Sequence, residues 1–458
     1  MSPGLVSDEA LRYGLRVNPS GNLGHPPWVS HFRRSRDLES EASWDLAHAL
    51  PDRISKRAEP DVERPRFAYD LGMDRSPSRP LRFTYIAINN WRNFTNINVP
   101  LNRRAFIIGP NASGKSNFLD VFRFLHDIVA VGRGLEQAVT ERGGVSNLRS
   151  LAARRYSDIS IKVSIGDDQD PKVWEYHLVI SQDINQRPVI RRESVSFKQD
   201  ELFSRPDEDD VKDPERLSQT FLQQVSANKP FREVADFFNS IRYLHVVPQL
   251  IREPDRSVGK RDDPYGGDFL EQIARTQDRI QVSRLRRISE ALKVAVPQLE
   301  GLELKRDDIR GTPHLRGRYK HWRSKGAWQT EDQFSDGTLR LLGLLWATLD
   351  GQGPLLLEEP ELSLHSEVIR FLPQMFSRIQ RQSGRQILAS THSSYMLGEG
   401  VGMNEVLLLE PTEEGTKAEL AGNLNEVRVL LEGGISLYEA VMPYVRPDSA
   451  QQISLFGT

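Results

Sequence analysis

The run Ala105-Phe-Ile-Ile-Gly109-Pro-Asn-Ala-Ser-Gly-Lys-Ser116 constrains the fold more than any other segment of the chain. Its apolar start has no alternation, so it reads as a short strand buried on both faces that feeds a loop of the form G-x-x-x-x-G-K-[S/T]. The residues after it, Phe118-Leu-Asp-Val-Phe-Arg-Phe-Leu125, follow a helical pattern. Strand, glycine loop and helix in that order make a phosphate cradle. Gly109 and Gly114 let backbone N–H groups come close to phosphate oxygens, and the helix presents its positive N-terminal end. Lys115 is placed to neutralise β- and γ-phosphates and the Ser116 hydroxyl to hold Mg2+, so the expected ligands are ATP and Mg2+. The nucleotide-binding set is then Gly109, Pro110, Asn111, Ala112, Ser113, Gly114, Lys115, Ser116 and Asn117.

A second anchor is Leu355-Leu-Leu-Glu358-Glu359-Pro-Glu-Leu-Ser-Leu-His365. Three leucines put adjacent carboxylates at the carboxyl end of a buried strand, the edge where ligands bind in parallel sheets. Neighbours on a strand point opposite ways. If the strand runs through both, one glutamate faces the magnesium and the other the water that attacks the γ-phosphate.

Composition removes several alternatives. The chain of 458 residues carries 61 Lys+Arg against 63 Asp+Glu, which excludes coating of nucleic acid by net charge but leaves room for a local basic patch. It has no cysteine, which excludes disulfides, Cys-based zinc sites, iron–sulfur clusters and thiol nucleophiles. No apolar run approaches the roughly 18–20 residues of a membrane span, and the first residues lack the pattern of a signal peptide, so a soluble intracellular protein without membrane contact is expected.

Residues 1–80 hold a third of the 27 prolines and show no apolar period, and they read as a mostly disordered leader with a short helix near Glu41–Leu50. Residues 81–410 read as one α/β head with an insertion at about 150–330, followed by a C-terminal extension over 411–458. Strands are expected at Phe83–Asn89, Ile97–Leu101 and Ala105–Ile108, and an antiparallel meander over Ile159–Phe197. Helices are expected over Phe269–Val296, Leu339–Leu349 and Ser366–Gln380, with strands at Gln386–Ser390 and Glu405–Leu409. Between Arg310 and Lys325, basic residues interleave with His314, Tyr319, His321 and Trp322. Arg316, Arg318 and Lys320 share one parity on a strand and Arg323 the other, which makes this the candidate DNA contact. The near-neutral net charge favours the alternative of a hairpin with a charged outer face and its aromatics turned inward.

Taken in order, the Gly109–Ser116 loop, Phe334-Ser335-Asp336-Gly337-Thr338, the Leu-Leu-Leu-Glu-Glu-Pro run and Ser390-Thr391-His392-Ser393 resemble the Walker A, signature, Walker B and switch-histidine motifs of ABC-type ATPases. Ile88-Asn-Asn-Trp-Arg-Asn-Phe94 is similar to the first hairpin of the RecF/SMC-like branch. The resemblance covers residues 82–130 and 330–410, and it implies an α/β ABC-type P-loop NTPase head with an inserted antiparallel β lobe and a helical lobe. It further implies that Ser335, Asp336 and Gly337 contact the γ-phosphate held by another protomer. Glu358 takes the magnesium-associated acid position, Glu359 that of the catalytic base and His392 that of the γ-phosphate sensor. Glu358 stands where the family usually has the shorter Asp, which favours an outer-sphere role through water. Gln249, after Tyr243-Leu-His-Val-Val-Pro248, is the candidate for the glutamine that links ATP to the inserted lobe, with Gln199 and Gln223 as alternatives.

The function implied is ATP binding and hydrolysis by a head dimer that sandwiches ATP and is coupled to DNA or to an effector partner, in DNA repair or anti-phage defence. A slow nucleotide-gated scaffold that controls a separate nuclease or toxin is the alternative. A self-contained OLD-type nuclease is disfavoured, since the residues after His392 are too few for a TOPRIM domain. The separation of 220 positions from Lys115 to Ser335, with the first hairpin, disfavours a transporter ATPase.

Overall fold

The computed structural model describes residues 80–153, 158–256, 262–322 and 326–446, together with Gln452 and Phe456. The expected leader with its helix near Glu41–Leu50, and Arg323 of the basic segment, lie outside the described residues. In chain order the strands are β1 (Arg82–Trp91), β2 (Phe94–Pro100), β3 (Arg104–Ile108), β4 (Ile159–Gly166), β5 (Trp174–Gln182), β6 (Pro188–Phe197), β7 (Asp200–Arg205) and β8 (Arg242–Leu244). They continue with β9 (Leu299–Arg306), β10 (Pro313–Tyr319), β11 (Ala327–Thr330), β12 (Leu355–Glu358), β13 (Ile387–Ser390), β14 (Val406–Thr412) and β15 (Gly415–Leu420).

Strand β3 lies inside a sheet of order β15-β14-β3-β13-β12-β8. All its pairings are parallel except that of β15 on β14. Its inner strands β3, β13 and β12 are short and largely apolar because both faces are covered. Ala105, Ile107, Leu356 and Leu388 point into one core, and Phe106, Ile108, Leu355, Leu357 and Ala389 into the other. The first core receives the helix Lys115–Val129, whose Phe118, Leu119, Phe122 and Leu125 are fully buried. The second receives the helices Phe269–Arg275, Asp278–Leu292, Asp336–Leu349 and Ser366–Ser383.

The antiparallel sheet has the order β2-β1-β4-β5-β6-β7. Within it β1 pairs with β4, with Ile86 opposite Val163, so chain from before and after the glycine loop shares one sheet. Its alternating buried residues, among them Ile159, Ile161, Val163 and Ile165, cover the helix that carries the loop. A third sheet, β11-β10-β9, is antiparallel.

Parallel registers align the carboxyl ends that matter. Ile107 pairs with Ser390, Ser390 with Glu358, and Leu357 with Leu244. The glycine loop after β3, the acids ending β12, the Thr391-His392 turn after β13 and the chain leaving β8 therefore emerge along one edge.

Candidate functional site

The loop Gly109–Ser116 turns from β3 into the helix Lys115–Val129 through Gly114, at φ +95°. A side chain there is strained by that φ and would also overlap the Asn93 carboxamide, so this position requires glycine. Asn93 braces the loop from outside. Its Nδ2 donates to Ser113 O at 2.8 Å and to Thr416 Oγ1 at 2.7 Å, while its Oδ1 accepts from Asn117 Nδ2 at 2.7 Å. Inside the loop, Lys115 Nζ donates to Gly109 O at 3.0 Å and Pro110 O at 2.9 Å. Burial lowers the pKa of this ammonium, against the raising influence of the Glu359, Glu358 and Glu361 carboxylates.

Ser116 Oγ donates to Glu358 Oε1, joining the first turn of the helix to the end of β12. The other carboxylate oxygen, Oε2, accepts from the Tyr243 hydroxyl on β8. Burial raises the Glu358 pKa, partly opposed by the Ser116 hydrogen bond and supported by the neighbouring charge of Glu359. The strand stops at Glu358. Glu359 turns into the left-handed region at φ 43°, and its N–H donates to Ser390 O at 3.1 Å. The two glutamates are therefore separated by a backbone turn and not by the alternation of a continuing strand, an unfavourable conformation for a residue with a Cβ. Glu359 Oε1 lies 3.2 Å from His392 Nε2. Burial, and then Lys115, lower the His392 pKa, which favours the neutral imidazole.

Glu361 completes this edge and was not singled out from sequence. Its Oε1 accepts from Thr391 Oγ1 at 2.5 Å and from His392 N at 3.1 Å, which fixes the histidine turn against the acidic run. The signal available for it was the third acid of Glu358-Glu359-Pro-Glu361. Tyr243 was also missed, although it lies on the strand used to select Gln249. Asn93 lay within the quoted hairpin without an assigned role.

Other sequence candidates stand apart. Gln249 is exposed on the helix Pro248–Ile251 beyond β8, and among the described residues no hydrogen bond joins it to the glycine loop. Ser335 is exposed at the N-cap of the helix Asp336–Leu349, where its Oγ accepts from Thr338 N at 3.2 Å. Arg252 Nη2 ties this turn to the neighbouring chain through Phe334 O at 2.7 Å and Asp336 Oδ1 at 2.6 Å. Gly337 packs so tightly on Ser363 O, in the segment after the acidic run, that a Cβ would overlap it. Among the described residues no hydrogen bond links Ser335, Asp336 or Gly337 to the loop of the same chain.

The basic strand β10 is not a bare cationic stripe. Arg316 pairs with Glu303 at 3.6 Å and stacks over Trp328 at 4.7 Å, and Arg318 pairs with Glu300 at 3.2 Å. Lys320 is exposed just beyond the strand. Trp322 is exposed, contrary to the inward-facing alternative, while Tyr319 packs toward Phe334; Trp328 on β11 is also exposed.

The oxygen-only set of Ser116 and Glu358 suits Mg2+, which commonly takes few protein ligands and completes its shell with water and phosphate. Ser113 Oγ, fully buried and without a hydrogen-bond partner, is a polar group inside the loop left for a ligand to satisfy. These residues fit a nucleotide phosphate chain with its metal. Among the described residues no helix is long and apolar enough to cross a membrane.

Over residues 104–398 the chain matches the family described as "AAA domain, putative AbiEii toxin, Type IV TA system". No match was found among curated proteins. Similar solved structures include an Smc head bound to the C-winged helix domain of ScpA, at 12% identity and TM-score 0.45, covering 74% of this chain and 96% of that one. The Smc head domain with an extended coiled coil bound to the C-terminal domain of ScpA from Pyrococcus furiosus matches at 10% identity and TM-score 0.44, covering 77% and 100%. The SMC head domain from Thermotoga maritima matches at 12% identity and TM-score 0.39, covering 74% and 98%.

Proposed function

The chain belongs to this AAA-domain family of P-loop ATPases, and from that premise we propose that it binds ATP with Mg2+ at the Gly109–Asn117 loop and hydrolyses it. The observation that carries the reading is the bridge from Ser116 to Glu358, which brings the loop hydroxyl and the strand-end acid together at the edge where Lys115, Glu359 and His392 also converge.

Loop N–H groups and the helix end receive the phosphates, and Lys115 exchanges its bonds to Gly109 O and Pro110 O for phosphate oxygens. Ser116 and Glu358 hold the Mg2+, which neutralises phosphate charge when bound. Tyr243 keeps the Glu358 carboxylate in place. Glu359 Oε1 orients the attacking water and accepts its proton, and neutral His392 holds that carboxylate through Nε2. Glu361 positions the His392 backbone.

The proposal extends to a head dimer in which exposed Ser335, with Asp336 and Gly337, completes the site of another protomer. Its support is the exposure of the turn and the lack, among the described residues, of a hydrogen bond to the loop of its own chain. Hydrolysis would then release the pair and be read by DNA or by a partner effector, in DNA repair or defence against phage. Titrating labelled ATP against the wild type and Lys115→Ala, with phosphate release measured in parallel, tests the core. Lys115→Ala should bind ATP at least about tenfold more weakly, and Glu359→Gln should bind normally while losing most turnover. Equal affinities for the wild type and Lys115→Ala would remove the loop as the nucleotide site. Binding with negligible turnover by the wild type would favour the slow, nucleotide-gated scaffold.

A further inference from the structure

The helix Leu437–Val445 opens on a capping box between Ser436 and Glu439 and buries Leu437, Ala440 and Val441. The chain then changes character: Arg446-Pro-Asp-Ser-Ala-Gln451, polar or small throughout, leads into Gln452-Ile-Ser-Leu-Phe456. Gln452 is exposed, and Phe456, at 95%, is the most exposed large aromatic side chain among the described residues. In sequence Phe456 follows Leu455, with Ile453 two residues earlier, in a stretch that has no charged side chain from Gln451 to Thr458. Salt-dependent phosphate binding by these residues is therefore excluded. The six residues from Arg446 to Gln451 would span at most roughly 20 Å, the tether length the sequence supplies.

The pattern Gln-x-x-Leu-Phe has a definite recognition chemistry. The carboxamide both donates and accepts, so it sets the register in a polar niche, while the Leu-Phe pair fills an apolar pocket next to it. Ser454 adds neither bulk nor charge between them. Peptides of this form dock on ring-shaped DNA sliding clamps, whose peptide groove pairs a deep apolar pocket with a polar niche. We propose that Gln452–Phe456 is a docking peptide for a sliding clamp. Such a tether delivers the chain to DNA without phosphate contacts of its own, in keeping with β10, where Arg316 and Arg318 already face Glu303 and Glu300. A peptide that orders on binding docks weakly, and two copies on one ring gain by avidity. The proposal does not rest on the nucleotide site.

The test immobilises a purified bacterial sliding clamp and passes over it the full chain as wild type, as Leu455→Ala/Phe456→Ala and as Lys115→Ala. Wild type and Lys115→Ala should bind alike, the double variant should bind at least about tenfold more weakly, and a synthetic peptide of residues 446–458 should compete. The double variant should keep the wild-type Tm and ATP turnover. Equal binding by the wild type and the double variant overturns the proposal, as does no binding by the wild type at about 100 µM. A lowered Tm of the double variant also overturns it, because the segment would then pack on its own chain, for example at the groove of Phe371, Tyr395 and Tyr438. Binding of duplex DNA by the free peptide would do the same.

Discussion

Glu358 is a carboxylate with a hydroxyl donor on each oxygen, and that arrangement makes Tyr243 the residue to test first. On the proposed reading Ser116 would change partners when metal and phosphate bind, whereas Tyr243 on β8 would keep its hydrogen bond to Oε2. Removing its hydroxyl leaves the ring and its packing under Arg123 intact while freeing the acid to rotate. Tyr243→Phe should therefore raise the magnesium concentration for half-maximal turnover by about tenfold, with ATP affinity in saturating magnesium little changed. A magnesium titration of phosphate release reads the shift, and superimposable curves would assign Tyr243 to packing alone.

Another residue-scale effect lies in the antiparallel sheet. His177 on β5 contacts Ser160 Oγ at 3.0 Å, and burial, aided by Arg192 and Lys162 and opposed by Glu175, pushes its pKa down to about 4. The unfolded histidine binds its proton below about 6.5. Between those values the unfolded state carries more protons than the folded one, so this group makes stability fall as pH drops from 6.5 toward 4. Above 6.5 it contributes no slope. His177→Gln should flatten the loss of Tm across that window relative to the wild type, and parallel Tm curves would show that the imidazole is not held neutral.

Among the elements, β10 and the turn at Ser335 part company with simple sequence readings. Parity correctly placed Arg316 and Arg318 on one face of β10, yet the facing residues of β9 include Glu303, with Glu300 beside them. Their charges are locally compensated, so few counterions can be released from this strand on DNA binding. Neutralising both as Arg316→Gln/Arg318→Gln should change the slope of log affinity against log salt by less than about one in filter binding of duplex DNA. A drop of two would restore β10 as the DNA path. The turn at Ser335 owes its geometry to its neighbours: Arg252 holds Phe334 O and Asp336, and Gly337 meets Ser363 O without room for a Cβ. Ser-Asp-Gly alone is an ordinary helix start, and only this packing sets it against the segment that follows Glu359.

For the whole molecule, the proposed cycle makes ATP a ligand shared between two heads, and blocking hydrolysis should trap that state. Glu359→Gln with ATP and magnesium should run at twice its nucleotide-free mass in light scattering, while Lys115→Ala should not respond to ATP. One mass for Glu359→Gln in both conditions would count against the shared site.

Much of this molecule was readable in contiguous residues because the information is local. The glycine loop, the apolar runs of β3, β12 and β13, and the helical period after Ser116 each depend on neighbours in sequence, and backbone geometry converts such patterns directly into elements. The order of motifs likewise pointed to the residues that converge: Lys115, Ser116, Glu358, Glu359 and His392. Tertiary structure decided the contacts between distant residues. Ser116 meets Glu358 across 242 positions and Asn93 meets Thr416 across 323, because parallel pairing of β3, β13 and β12 and the placement of β15 bring those ends together. It also ended β12 at Glu358, turned Glu359 into a left-handed conformation, gave Tyr243 to the acid and left Gln249 outside. Spacing along a chain carries no term for which strand becomes another's neighbour; that choice is made by burying both faces of the sheet at once, and the site inherits it.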